Sequence, residues 1–183
     1  MKLFWAALSG VLCTAHISFA EPRVTYNAYG MPGLVDMPSA QSAPDAELSF
    51  SVSQSGKSLR NTLTFQIAPR LTGAFRYSSI ERPTQTLYDR SFDLRYRLLD
   101  ETQLRPAVAV GLQDFIGTGV YSGEYVAASK TFGPVVATAG IGWGRLGSHN
   151  SFDNPLGLIS SRFDTRDAGF TGTGGRIESA RWF

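Results

Sequence analysis

The sequence predicts an all-β protein, an antiparallel up-and-down meander that forms an outer-membrane β-barrel or part of one. Several runs between Glu47 and Leu146 alternate between apolar and polar residues, which is the period of a strand with one apolar face. Short turn-like sequences join these runs, and consecutive strands joined by short turns are antiparallel. No run shows a convincing helical period.

Residues 1–20 are predicted to be a signal peptide. Lys2 precedes an apolar stretch, and Ser18 and Ala20 occupy the positions that a signal peptidase accepts. The apolar stretch is short for a membrane-spanning helix, and polar residues dilute it. We therefore expect export and cleavage before Glu21.

Cysteine usage and charge exclude several classes of protein. Cys13 is the single cysteine and lies in the predicted signal peptide, so no disulfide framework is expected. Leu12 precedes Cys13 where a lipoprotein signal has a small residue, so we do not expect a lipoprotein. The 17 basic and 15 acidic residues nearly balance, which argues against a nucleic-acid partner.

The chain divides into four segments. The signal peptide, residues 1–20, is followed by an irregular N-terminal lead-in segment, residues 21–45, rich in Pro, Gly, Ser, Ala and Asn. Residues 46–146 form the antiparallel β-meander or barrel region. Residues 147–183 lose the alternation and are predicted to be an irregular, loop-rich tail, with no linker to a second domain.

The lead-in segment contains "YGMPGLVDMPSA", which fails the context of a phosphate-binding loop because no strand precedes it and no helix follows. Its two X-Pro steps indicate an extended, kinked path into the first strand. We expect Leu34, Val35 and Met37 to contact the rim or the mouth of the barrel. Pro38 is expected to prevent premature strand pairing.

About seven strands are predicted in the meander. They are "ELSFSVSQ", "NTLTFQIA", "LTGAFRYSSI", "RSFDLRYRLL", "AVAVGLQDF", the run from Tyr125 to Phe132, and "GPVVATAGIGWGRLG". Single-chain bacterial barrels have even strand numbers, because the last strand pairs with the first. We therefore expect either a weak strand from the tail or a chain that is a piece of a longer barrel. The terminal Phe183 is weak evidence of a barrel assembly signal.

A soluble sandwich and a membrane barrel both have alternating strands, and three features favour the barrel. Several runs approach the length of about nine to eleven residues that a tilted strand needs to cross a bilayer. The face opposite the apolar one is polar throughout. Aromatic residues lie toward the strand ends, as in barrel girdles: Tyr77, Phe92, Phe115, Tyr125, Phe132 and Trp143.

No catalytic, cofactor-binding or metal site is predicted, and we expect a non-enzymatic protein. One histidine, His149, follows the signal peptide, and a single histidine without cysteines argues against zinc. Ser148 and Asp153 lie near it in sequence, but a catalytic triad is assembled from separate elements. Asp114 and Glu124 flank one loop, and we interpret them as residues of the loop mouth in preference to a glycosidase pair.

The candidate functional residues lie opposite the apolar face of their strands and are predicted to face a lumen: Arg76, Asp93, Arg95, Arg97 and Lys130. If this face lines a lumen, its arginines are able to guide an anionic polysaccharide by charge and by fork-like contacts to carboxylates. The alternative is that Asp93 pairs with neighbouring arginines and fills a narrow, closed interior. The sequence leaves both interpretations open.

Several stretches resemble the YjbH-like family of exopolysaccharide-associated outer-membrane proteins: Asn27 to Gln54, Tyr88 to Glu101, Pro106 to Phe132, and "GIGWGRLG". The resemblance covers roughly residues 27–147, with its parts in the expected order. It implies a β-barrel of the Gram-negative envelope linked to the production or export of extracellular polysaccharide, and it supplies no catalytic residues. Family members are usually several times longer, so the chain resembles an N-terminal portion or a truncated member. Many are also taken to be lipoproteins, which Cys13 does not fit well.

We therefore predict a non-enzymatic outer-membrane β-barrel protein involved in exopolysaccharide biosynthesis or secretion. The expected partners are outer-membrane lipid, an anionic exopolysaccharide and other envelope secretion proteins, with no cofactor. The alternative is a periplasmic or surface-exposed β-domain that binds polysaccharide or an envelope partner without spanning the membrane.

Overall fold

The computed structural model describes residues 24–147 and 152–163, together with three two-residue strands of the tail. Among these residues, seven long strands are present: β3 (Leu48–Ser55), β4 (Ser58–Ala68), β5 (Leu71–Glu81), β6 (Thr86–Leu99), β7 (Ala107–Gly117), β8 (Gly123–Phe132) and β9 (Val135–Gly144). Before them, β1 (Gly33–Leu34) and β2 (Met37–Pro38) form a hairpin. The tail contains two 3-10 helices, Pro155–Leu158 and Ser161–Phe163, and the strands β10 (Thr165–Arg166), β11 (Gly175–Arg176) and β12 (Arg181–Trp182).

Each long strand pairs in antiparallel fashion with the next, so the predicted all-β, up-and-down meander is confirmed. The strand order is β12-β9-β8-β7-β6-β5-β4-β3, in which β12 adds a two-residue strand beside β9. The sheet curls into a half-barrel. Within the described residues, no helix has the length and apolar character needed to cross a membrane.

The curl brings side chains of distant strands together on one face of the sheet. The hydroxyl of Ser58, in β4, is 2.8 Å from the hydroxyl of Tyr121, which follows β7. Three strand-to-strand spacings lie between β4 and β7, and in a flat sheet they would separate the two strands by about 14 Å. The face that carries Ser58 is therefore the concave one, and we call it the inner face.

The inner face is polar and buried, whereas the outer face is apolar and exposed. Along β4 the inner residues Thr62 and Thr64 are 1% and 2% exposed, and between them the outer residue Leu63 is 44% exposed. The same alternation continues across the sheet, so that Arg76 is 0% exposed while Phe50 is 67% exposed. A soluble sandwich has the reverse arrangement, with the apolar face in the core.

The lead-in segment covers the inner face, which explains why polar side chains there are buried. The hydroxyl of Thr64 donates to the carbonyl of Gly30 (2.6 Å), and the hydroxyl of Ser53 donates to the carbonyl of Ala28 (2.6 Å). Near the other end of the segment, the N–H of Ala40 donates to the hydroxyl of Ser129 (2.8 Å). The segment is thus fixed to strands on both sides of the half-barrel.

The predicted role of the apolar residues in the lead-in segment was wrong. Leu34 and Val35 are 68% and 77% exposed, and Met37 is also exposed. They lie in the β1–β2 hairpin, whose turn holds Val35 at φ 53°, and their exposure shows that they are not tucked into the barrel mouth. Pro38, expected to prevent pairing, instead lies opposite Gly33 in this hairpin.

Small residues on the inner face make room for what lies over it. Gly111 of β7 pairs with Tyr125 of β8, and the Tyr125 ring lies so close that a Cβ atom on Gly111 would overlap it. Tyr125 is 2% exposed and packs with Ala127 and Leu146. The ring therefore occupies the space that a side chain at position 111 would need.

Gly111→Ala is expected to lower the free energy of unfolding by about 1–3 kcal/mol, because the added methyl group overpacks a filled site. Gly73→Ala is the matched control, since its Cβ atom would meet the flexible end of Ile67 at 3.0 Å. Urea unfolding of the refolded protein compares the two variants. Equal stability of both variants would contradict the packing described for Tyr125.

Candidate functional site

The centre of the inner face is a buried ion pair between β5 and β6. The guanidinium of Arg76 donates two hydrogen bonds to the carboxylate of Asp93, both at 2.9 Å, and the two side chains are 0% and 1% exposed. Arg76 also donates to the carbonyl of Tyr29 at 3.0 Å. The pair therefore joins the sheet to the lead-in segment.

A bulge in β7 completes the surroundings of Asp93. The register between β6 and β7 shifts between Phe92 and Leu94, and Asp114 in the bulge has φ 47°. The N–H of Asp114 donates to Asp93 at 2.9 Å, while the Asp114 carboxylate accepts from the N–H of Tyr121 at 2.9 Å. The bulge thereby supplies a donor to the ion pair and fixes the loop that follows β7.

Tyr29 of the lead-in segment lies among three arginines. The guanidinium carbons of Arg145, Arg60 and Arg76 are 3.7, 4.6 and 5.2 Å from the centre of its ring. The Tyr121 ring packs against it edge to face, with 5.4 Å between centroids. Cations at such distances from an aromatic ring are attracted to it, most strongly where water is excluded. The aromatic ring therefore anchors the lead-in segment.

Three of the predicted residues meet on the inner face, because Arg76, Asp93 and Arg95 are all buried there. Arg95 donates to the hydroxyl of Thr72 at 3.2 Å and also contacts the carbonyl of Gln41. It is therefore a second point at which an arginine of the sheet holds the lead-in segment.

The other two predicted residues lie at the sheet's end. Arg97 pairs in register with the inner-face residue Ala109, but its guanidinium forms an ion pair with Asp100 (3.1 Å) that is partly exposed. It therefore belongs to the rim of the inner face and not to the buried centre.

Lys130 lies on the outer face, contrary to its assignment from the sequence. Its strand turns Tyr125 and Ser129 inward, which leaves Lys130 on the side of Val126. Lys130 forms an ion pair with Glu101 (3.2 Å), which also accepts from the N–H of Thr131 (2.8 Å). The Thr131 N–H and the Lys130 ammonium hold the pKa of Glu101 below its usual value.

Sequence reasoning did not identify Tyr29, Arg60, Tyr121 or Arg145 as parts of this site. Arg60 alternates with Thr62 along β4, so the strand pattern contained a signal for it. The other three lie outside the long strands, where no periodicity indicates a face. Their positions depend on contacts between segments far apart in sequence.

The described residues do not assemble a catalytic site from the candidates considered above. Asp114 points to the inner face, whereas Glu124 pairs in register with Leu112 on the outer face and accepts from Asn154 at 2.9 Å. The two carboxylates thus lie on opposite sides of the sheet. His149 and Phe183 lie outside the described residues. In the described part, no group of His, Cys, Asp or Glu is arranged to hold a metal ion.

Arg76→Met is expected to reduce the free energy of unfolding by about 3–5 kcal/mol, since it leaves the buried carboxylate of Asp93 without its cation. Arg97→Met, at the rim, is the matched control and should cost about 0–1 kcal/mol. Denaturant titration of both variants in detergent measures the difference. Similar losses for the two substitutions would mean that the buried pair is not the central constraint.

Comparison with known proteins gives the family. The family described as exopolysaccharide biosynthesis protein YbjH matches residues 25–183. The Escherichia coli K12 protein named "Uncharacterized lipoprotein YjbH" is 35% identical over 165 residues, which cover 85% of this chain and 24% of that protein. The chain therefore spans about a quarter of this relative's length. No solved structure matches the chain. The predicted resemblance is confirmed, and the chain belongs to the YjbH exopolysaccharide biosynthesis family.

Proposed function

We propose that this chain forms part of a non-enzymatic outer-membrane β-barrel that serves exopolysaccharide biosynthesis or secretion. The observation that carries the proposal is the arrangement of the two faces. The polar face is buried under the lead-in segment, and the apolar face is turned outward. Family membership supports the link to exopolysaccharide.

The outer face is suited to lipid because water would solvate it poorly. Large apolar side chains that are more than one-third exposed recur on successive strands, among them Phe50, Leu63, Phe65, Phe75, Phe92 and Tyr96. Soluble monomers rarely expose contiguous apolar patches larger than a few hundred Å². Acyl chains would remove this surface from water, and outer-membrane barrels have such an apolar outer band.

The apolar band crosses the sheet diagonally. One row of register partners leads from Leu48, the first residue of β3, to Glu124 near the start of β8. Both residues lie at the start of their strands, and β3 and β8 run in opposite directions, so the two strands extend to opposite sides of this row. On β3 the apolar residues extend from Leu48 toward Val52, and on β8 they begin beyond Glu124, at Val126. The strands are thus tilted against the band, as barrel strands are tilted in a membrane.

The contacts of the inner-face arginines favour a structural role over the guiding of a polymer. Arg76 is paired with Asp93, and both Arg76 and Arg95 hold the lead-in segment. We therefore assign these arginines to closing the interior. We propose lipid as the partner of the outer face. The further proposed partners are an anionic exopolysaccharide and other envelope secretion proteins.

The E. coli relative is named a lipoprotein, which is compatible with an envelope location for the family. We propose the outer membrane for this chain. Cys13 lies outside the described residues, and the absence of lipid on it stays a prediction.

Leu63→Arg and Leu104→Arg separate the membrane barrel from a soluble periplasmic or surface β-domain. Leu63 lies on the outer face of β4, and Leu104 is 98% exposed in the loop between β6 and β7. In a bilayer, an arginine on the outer face costs about 2–4 kcal/mol near the midplane and little at a loop. Leu63→Arg should therefore abolish recovery in the outer-membrane fraction and heat-modifiable gel migration, while Leu104→Arg should preserve both.

In a soluble domain both leucines face water, and both substitutions should be tolerated. A folded Leu63→Arg protein in the periplasmic fraction, alongside wild-type protein in the same fraction, would refute the proposed membrane location. The loop variant controls for a general effect of the added charge.

A further inference from the structure

We propose that residues 152–163 form a collar at the edge of the membrane, with Leu158 and Ile159 inserted among the lipid groups of the interface. The inference rests on the proposed membrane location and adds an interaction surface and its partner. Residues 152–163 belong to the tail, which the sequence predicted to be irregular.

Glu124 and Trp143 lie side by side on neighbouring strands. They are register partners in β8 and β9, and Glu124 pairs in turn with Leu112, which pairs with Leu94. Residues paired across antiparallel strands project from the same face of the sheet. Glu124 and Trp143 therefore belong to the outer face, at the end of the sheet where β8 begins and β9 ends.

The collar covers both Glu124 and Trp143. The ring of Phe152 packs edge to face on Trp143, with 5.6 Å between centroids and 81° between planes. The side-chain amide of Asn154 donates to the Glu124 carboxylate at 2.9 Å. Although they lie on the outer face, Glu124 and Trp143 are each 5% exposed. The collar thus shields a carboxylate whose contact with lipid would be costly.

The collar presents apolar side chains in a defined conformation. Asn154 caps the first 3-10 helix by accepting from the N–H of Leu156 at 3.0 Å. The N–H groups of Ile159 and Ser160 then donate to the carbonyl of Leu156 at 2.9 and 3.1 Å. These bonds hold Leu158 and Ile159, which are 94% and 78% exposed, on a closed turn.

The position of the collar on the sheet favours lipid as its partner. Beyond Glu124 on the outer face of β8 the next residues are Val126 and Ala128, so the collar lies where the apolar band ends. Tryptophan is enriched at this depth of a membrane protein, and Trp143 lies directly under Phe152. The collar directs its polar contacts toward the sheet and leaves leucine and isoleucine exposed. This arrangement suits the interface between lipid headgroups and acyl chains.

Nitroxide labels in the full chain reconstituted into phosphatidylcholine vesicles test the collar. Single cysteines are introduced at Leu158, at the outer-face residue Phe65 and at the exposed turn residue Lys57, in a Cys13→Ser background without other cysteines. Collision rates with molecular oxygen report lipid, and those with a water-soluble nickel chelate report solvent. We expect Leu158→Cys to show an oxygen-to-nickel ratio several-fold above that of Lys57→Cys and below that of Phe65→Cys.

The outcomes separate the collar from the proposed function. A solvent-like ratio at 158 with a lipid-like ratio at 65 would overturn the collar and leave the barrel intact. Low rates with both reagents at 158 would mean that protein covers the position, which also overturns it. A solvent-like ratio at 65 would refute the proposed membrane location itself, and the collar with it.

Discussion

The buried ion pair of Arg76 and Asp93 is the constraint on which the other features of this half-barrel depend. Two charges removed from water destabilise a protein by several kcal/mol each unless hydrogen bonds and an opposite charge compensate. The carboxylate receives the guanidinium and the N–H of the β7 bulge, while the guanidinium also reaches the carbonyl of Tyr29. The strands, the bulge and the lead-in segment therefore meet at this ion pair, and each contributes a hydrogen bond to it.

This constraint accounts for the orientation of the sheet. Once the polar face is curled around the lead-in segment and closed by arginines and Tyr29, the apolar residues of the same strands must face outward. The fold thus stabilises its interior by ion pairing, cation–ring contacts and hydrogen bonds, and leaves the apolar surface for its surroundings to cover. The proposed lipid environment would favour both halves of this arrangement at once.

The strands could be predicted from the sequence because alternation is a local property, and the runs around Leu63 and Phe92 lie within β4 and β6 as expected. Alternation alone does not reveal which face is buried, since a sandwich and a barrel have the same period. Lys130 was misplaced because its orientation depends on how β8 is turned toward the interior. Asp114 was interpreted as a residue of the loop mouth, because no local sequence pattern predicts the bulge that turns its side chain inward. Tyr29 and Arg145 meet across more than one hundred residues, which no local pattern encodes.

The central claim is that the two faces of one sheet meet different environments, and contacts between lipid and methyl groups test it most directly. The measurement is nuclear Overhauser transfer from acyl-chain protons to methyl-labelled protein in lipid nanodiscs. The account predicts transfer to the outer-face methyls of Leu63, Ile67 and Val126, and none to the inner-face methyls of Thr62 and Ala127. Transfer to the inner-face methyls, or water contact at Leu63 and Val126 in place of lipid contact, would contradict it.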